Sequence, residues 1–398
     1  MCDKIKLYMK IRIQYILLSA LFFISCEGGL WKQEAPKQTA IFYLPWTSDL
    51  YSHFVRGIED VKQSIKYNQI KNARIVVCMA RNAAETDLYE LKYKKGNCVM
   101  EYIKEYKNHD FTTKEGLKTL FTDIKQAVPT AQYSLTISAH GMGWLPIEKK
   151  ETRSKSQQGQ KLHFEYENQE AITRYFGGTT AIYQTEISTL ATAIKESGMF
   201  FEFIAFDDCY MSNIEVAYEL KDVTKHIIAS PTEIMAYGFP YITMTPHLVG
   251  QINYELLCKE FNKFYSDYEY PYATLGIINC EYIDSIVPIV KAINKLNNEQ
   301  KNVENIQRMD GYAPTIFFDF GSYISKICTN AELESRFNKN LKKLVPYKTH
   351  TAEFPSAANG YLELIPISEF SGITTSDPSE NYRTRETKLE TPWYKATH

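Results

Sequence analysis

Between residues 39 and 231 the hydrophobic period of the chain switches repeatedly between two values. Short runs rich in β-branched and aromatic residues alternate with longer segments whose apolar residues recur every three or four positions. "TAIFYLPW" (39–46) reads as a buried strand, and after it Phe54, Ile58, Val61 and Ile65 fall on one helical face. "ARIVVCMA" (73–80) is a second strand, with Cys78 in its core. "TTKEGLKTLFTDIKQAV" (112–128) carries Leu117, Leu120, Phe121, Ile124 and Val128 on one stripe, behind Thr112 and Glu115 at capping-box spacing. "SLTISAH" (134–140), "FEFIAF" (201–206) and "HIIASP" (226–231) add three strands. A helix over 184–198, with Ile187, Leu190, Ala191 and Ile194 on one face, lies between the first two of them. The alternation predicts an α/β layered fold with a mainly parallel sheet. Sheets of this kind place their sites beyond the carboxyl ends of the strands.

The flanking regions divide the chain further. From about residue 245 the pattern is mixed: an amphipathic helix over 281–297, and strand-like "TIFFDF" (315–320) and "GYLELIP" (360–366). This predicts a smaller C-terminal region, 246–398, continuous with or packed on a core of residues 39–245. Residues 367–398 read as polar loop with an end docked at Trp393. One segment of the core, 146–170, is polar, basic at its start and without period, so an exposed inserted loop is placed at 146–180.

The N-terminus carries Lys4, Lys6, Lys10 and Arg12 ahead of "IQYILLSALFFIS" (13–25), a run too short to span a bilayer comfortably. That is the plan of a secretory signal peptide. It ends at Ser25-Cys26, which resembles a bacterial lipobox. The expectation is a signal over 1–25, a lipidated Cys26, a tether over 26–38, and a protein anchored to the bacterial envelope by lipid, facing the periplasm or the surface, or secreted.

Of the eight cysteines, Cys2 lies in the signal and Cys26 would carry lipid. Cys78, Cys98, Cys209, Cys258, Cys280 and Cys328 remain. Export permits disulfides, but no C-x-x-C pair suggests zinc or redox chemistry, and no metal site is read. A net charge of -2 without a long basic run excludes a nucleic-acid partner. The 29 tyrosines suit surfaces that meet peptides or glycans, or reflect lineage bias.

Two strand ends carry chemistry. His140-Gly141 closes one strand and Cys209 follows another. Ser212 and Glu215 have capping-box spacing, which predicts a helix starting near Ser212 whose dipole favours negative charge at Cys209. His140 is placed to take or give the proton of a cysteine nucleophile. The backbone N–H groups of Gly141 and Cys209 are candidates to hold an oxyanion, since glycine permits close approach. Asp208 opposes a thiolate unless it points away; in extended chain Asp207, not Asp208, shares the side of Cys209. The competing reading is a structural cysteine and a packed histidine.

These residues carry a resemblance. "LTISAHGMGW" resembles the strand–His-Gly motif of the clostripain family of cysteine peptidases. "FIAFDDCYMSNIEVAYEL" is similar to its Asp-x-Cys-x-Met signature and following helix. "IIASPTEIMAYGFPY" (227–241) resembles its next strand and Gly-aromatic-x-Tyr turn, and "AIFYLPWTSDLYSHF" its opening strand and Asp-Leu helix start. The resemblance implies a caspase-like three-layer α/β sandwich and an endopeptidase that cuts proteins or peptides with Cys209 as nucleophile and His140 as general acid and base. It puts Asp207 beside the specificity pocket. It implies cleavage after Arg or Lys and, in some members, a response to calcium, although no cofactor is required. It also points to maturation by a cut between the histidine and the cysteine, near Lys149, Lys150, Arg153 or Lys155. Two departures stand out. Tyr237, before Gly238, occupies a position where members that cut after basic residues carry Asp, so the pocket is expected to be less strictly basic. The spacing between His140 and Cys209 is long. An inactive relative that binds peptides or protein partners in the old cleft is the alternative.

Overall fold

The computed structural model describes residues 38–147, 176–268, 271–296 and 305–398. The signal, Cys26, all but the last residue of the tether, and the basic positions Lys149 to Lys155 lie outside them. The described residues fall within one compact unit.

A sheet of nine strands runs through its middle. In chain order they are β1 (Gln38–Leu44), β2 (Ala73–Asn82), β3 (Glu85–Lys94), β4 (Asn97–Lys107), β5 (Gln132–Ser138), β6 (Phe201–Asp207), β7 (Thr224–Ala229), β8 (Thr274–Asn279) and β9 (Tyr347–His350). Their spatial order is β9-β8-β7-β6-β5-β1-β2-β3-β4. The five central strands, β2, β1, β5, β6 and β7, are parallel, and both edges are antiparallel. The region beyond residue 245 thus contributes two strands to the main sheet rather than only packing on it.

Helices cover both faces: α1 (Tyr51–Asn68), α2 (Lys114–Ala127), α3 (Ile187–Ser197), α4 (Ile214–Leu220), α5 (Tyr241–Leu248), α6 (Tyr254–Ser266), α7 (Ile283–Leu296), α8 (Phe320–Ile327), α9 (Ala331–Leu344) and α10 (Pro392–Thr397). Side chains alternate along each strand, and the central strands bury both faces. On β1, Ile41 and Tyr43 join Leu117, Phe121 and Ile194 of α2 and α3, whereas Ala40, Phe42 and Leu44 join Phe54, Ile58 and Val61 of α1. The result is the expected three-layer, caspase-like α/β sandwich.

Several local expectations are corrected. Thr113, not Thr112, caps α2 by accepting from Gly116 N, because Thr112 is turned to Asp110. Residues 315–320 supply only a two-residue strand, Phe318–Asp319, before the chain turns helical. The long β3–β4 hairpin had no sequence reading. Beyond 367 the chain is more ordered than a loop: Thr374–Thr375 pair with Phe318–Asp319. α10 buries Trp393 completely against Tyr218 of α4 and Phe320 of α8. Truncating a tryptophan so placed costs about 3–5 kcal/mol. Cys78 is fully buried, which pushes its thiol up, and no two of the described cysteines are bonded to each other.

Candidate active site

The carboxyl ends of β1, β5 and β6 meet in one cleft, lined among others by Leu50, His140, Asp207, Cys209, Tyr237 and Gly238. His140 and Gly141 leave the main sheet one residue after β5 and pair with Phe176–Gly177 in a small three-stranded sheet. His140 is 2 % exposed, and its Nε2 lies 2.8 Å from Asp49 Oδ2. Asp49 sits just before α1 and accepts from Thr47 Oγ1 at 3.0 Å. Burial works to raise its pKa. The His140 hydrogen bond and charge, with help from Thr47, overcome that and hold the carboxyl below its usual range. Asp49 was not singled out from the sequence.

Gly141 packs against the backbone of Cys209. A Cβ there would lie 2.6 Å from Cys209 O and 2.7 Å from Asp208 Cβ, so no side chain fits. Cys209 is half-buried; Ile234 N donates to its Sγ at 3.2 Å, and Sγ in turn donates to Ile234 O at 3.6 Å. The next residue, Tyr210, has a φ of +59°, in the left-handed region that costs a non-glycine residue roughly 1–2 kcal/mol. Three bonds hold it there. Its N–H donates to Thr232 O at 3.0 Å, its carbonyl accepts from Asn213 Nδ2 at 2.6 Å, and its hydroxyl donates to Glu233. This sharp turn between β6 and α4 had no reading from the sequence. Asn213, rather than Ser212, caps α4, accepting from Val216 N; Ser212 Oγ is spent on Gly372 O. Glu215 closes no capping box, because its carboxylate faces residues 375 and 376.

The two aspartates differ. Asp208 accepts from Ala139 N at 2.8 Å, and its second oxygen is buried without a partner among the described residues. Burial first, and the charge of Asp207 second, push its carboxyl well above the usual range. A carboxyl shifted this way opposes a thiolate less than an ordinary one would. Asp207 accepts from Phe239 N at 2.7 Å, Tyr241 Oη at 2.8 Å and Ser138 Oγ at 3.0 Å. Burial pushes it up to about 6 against these donors. Gly238, at a φ of +74°, lets the loop cross Asp207; a Cβ there would lie 2.6 Å from Oδ2.

Tyr237 lines the cleft, but its hydroxyl donates to Asp60 Oδ2 at 3.0 Å and its ring lies 4.1 Å beneath the Arg56 guanidinium. Among the described residues no group of three or more His, Cys, Asp or Glu is arranged to hold a metal ion.

The profile of the clostripain family matches residues 46–345. A secreted C11 cysteine protease from Bacteroides thetaiotaomicron, iotapain, is 41 % identical over 91 % of this chain and 99 % of its own, with a TM-score of 0.83. A clostripain from the same organism, in complex with the peptide inhibitor BTN-VLTK-AOMK, is 46 % identical over 56 % of this chain and 99 % of its own, with a TM-score of 0.54. An inactive zymogen C11 protease from Parabacteroides distasonis shares the fold at 22 % identity, over 92 % of this chain and 99 % of its own, with a TM-score of 0.75. No curated protein matches.

Proposed function

The chain belongs to the clostripain family, and from that premise we propose that it is a cysteine endopeptidase working through Cys209 and His140. The observation that carries this reading is the 2.8 Å contact between His140 and Asp49 at the edge of the cleft that Cys209 lines. A cleft kept only for binding has no use for a buried imidazole oriented by a carboxylate.

In this reading His140 takes the Cys209 proton, and the thiolate attacks the scissile carbonyl carbon. The carbonyl oxygen becomes an oxyanion, to be met by the backbone N–H groups of Gly141 and Cys209. His140 then gives its proton to the leaving amine as the C–N bond breaks. Water attacks the thioester, again with His140 as base, and the acid product leaves with Cys209 restored. Asp49 fixes the ring and stabilises the imidazolium. These steps use side chains and backbone alone; loss of turnover on adding a chelator would reveal a need for calcium.

Asp207 at the cleft offers an anion to a basic residue before the cut. The lysine in the inhibitor held by the related clostripain is in keeping with that. Substrates are proteins or peptides outside the cytoplasm, as the signal-like N-terminus implies. A lipid on Cys26 anchors the protein; Cys26→Ser should then move it out of the detergent phase. The chain is matured by a cut in the loop between His140 and Cys209.

The deciding experiment is cleavage of a peptide library by the mature chain beside Cys209→Ala. Turnover lost in the variant supports the reading. An inert wild type that still binds peptides would favour the inactive alternative.

A further inference from the structure

Residues 371–377 touch both segments that carry the catalytic pair. On the cysteine side, Thr374 N and Oγ1 donate to Ser212 O at 2.9 and 3.1 Å. Thr375 Oγ1 and Ser376 N donate to the same Glu215 oxygen, Oε1, at 3.0 and 2.8 Å. On the histidine side, Trp144 Nε1, four residues after His140, donates to Ser376 Oγ at 2.9 Å. Ser376 is therefore a joint between the two segments. Thr375 Oγ1 also accepts from Asp377 N at 3.2 Å, which ties Asp377 to the Glu215 carboxyl.

Two oxygens in this corner are unexplained. Glu215 Oε2 and Asp377 Oδ2 are buried without a hydrogen-bond partner among the described residues, and each side chain is only 4 % exposed. Two buried carboxylates with one unmatched oxygen apiece are costly, and one proton between them removes both mismatches by making one a donor to the other. We propose that Glu215 and Asp377 share a single proton and act as positioning residues, holding strap 371–377 against the His140 and Cys209 segments. The role in catalysis rests on the peptidase reading above.

The other titratable groups at this corner fit. Lys388 donates to the backbone oxygens of Asp377 and Ser379 at 2.8 and 2.7 Å, a cation held beside this corner by main-chain carbonyls. Tyr323 of α8 and Tyr394 of α10 are raised by burial and then by the charge of Asp377, so both stay neutral. Burial first, and Asp377 second, push the Glu215 carboxyl up to about 8. A carboxyl raised on folding binds a proton that the unfolded chain has already lost. Its stabilising share is whole below the unfolded value and is lost as pH rises through about 8.

Glu215→Gln tests this, because an amide copies the protonated acid: its oxygen accepts from Thr375 and Ser376, and its nitrogen donates to Asp377. Thermal midpoint and kcat and KM on a peptide substrate are followed from about pH 5 to about pH 9, each profile scaled to its own maximum. The wild type should lose kcat above about pH 8 with little change in KM, and Glu215→Gln should displace that fall upward by about one pH unit or more. The fall in thermal midpoint over the same range should flatten in the variant. Asp377→Asn should do the same and serves if the first variant does not fold. Identical profiles in wild type and variants would overturn the shared proton. A flattened thermal slope with an unmoved kcat profile would overturn the positioning role. A wild type without turnover at any pH would overturn the peptidase reading, and the positioning role with it, while the thermal slope still reports on the proton.

Discussion

Asp49 Oδ2 lies 2.8 Å from His140 Nε2, and the two residues follow neighbouring strands of the sheet: one lies after β1 in the turn into α1, the other just beyond β5. With Asp49 on Nε2, the proposed proton transfer with the thiol runs through Nδ1, so Asp49 sets which nitrogen works. Asp49→Asn should preserve the contact but favour the wrong tautomer. The expected loss is about 10²–10⁴-fold in kcat with KM little changed. Steady-state kinetics on one good peptide substrate decide it; a rate within about threefold of wild type would make Asp49 a bystander.

Cys209→Ala should abolish turnover and leave the fold intact, since the half-buried thiol contributes little packing. His140→Ala should lose nearly as much. Nucleophile and base act as a unit, so the double variant should be little worse than either single one. Additive losses, read from kcat of the three proteins, would break the pairing.

How far the sequence speaks depends on where each side chain points. Phe54, Ile58, Val61 and Ile65 announced α1 because a buried helical face imposes its own period, and all four are buried. His140 and Cys209 were readable because they stand at ends of apolar strands. Asp49 was not, for its partner is ninety-one residues away and no local pattern marks a carboxylate aimed at a distant ring. The same holds for Asn213, which took the cap expected of Ser212 because Ser212 is committed to Gly372, a residue of the far C-terminal strap. Tyr210 escaped notice because its positive φ is stabilised by Thr232, Glu233 and Phe317, which reach it through the fold.

If the proposed pocket takes a basic side chain, Asp207 should set its pH response to substrate charge. Raised by burial to about 6, it is protonated below that value and anionic above it. The folded chain binds this proton where the unfolded chain has lost it, so ionisation costs stability as pH rises through about 6. A bound ammonium or guanidinium offsets that cost. The kcat/KM for a substrate with Lys or Arg before the cut should therefore rise through about pH 6 more steeply than for a norleucine analogue. Asp207→Asn should remove the difference and reduce the basic substrate's kcat/KM by roughly 30-fold or more, the equivalent of about 2 kcal/mol. Parallel profiles for the two substrates would take Asp207 out of the recognition of charge.

Tyr237 bears on the same pocket. Its ring is under Arg56, at 4.1 Å, and its hydroxyl is on Asp60. Tyr237→Asp adds a carboxylate to the pocket, but beneath a guanidinium already in place. The preference for Lys or Arg should rise clearly only when Arg56→Gln accompanies it. A large gain from Tyr237→Asp alone, in a competition between Arg and norleucine substrates, would show that Arg56 swings away.

The loop between the proposed base and nucleophile is the last test. Its far end returns as Phe176–Gly177, hydrogen-bonded to His140–Gly141, so the chain on the cysteine side of the loop stays clamped beside the histidine. A cut near Lys149, Lys150, Arg153 or Lys155 would leave two pieces sharing the central sheet: β5 on one and β6 on the other, paired in parallel. They should remain one particle under native conditions and separate on a denaturing gel. Polar, basic loop tips are where nicking concentrates. Wild type and Cys209→Ala, purified in parallel and followed over time, distinguish the sources. A cut in the wild type alone, accompanied by a rise in activity, means self-processing through a pocket that accepts Lys or Arg. A cut in both assigns the step to a second protease, the outcome expected if the Arg56–Tyr237 stack weakens the pocket's grip on basic residues. Full activity from an uncut wild-type chain would remove the maturation step altogether.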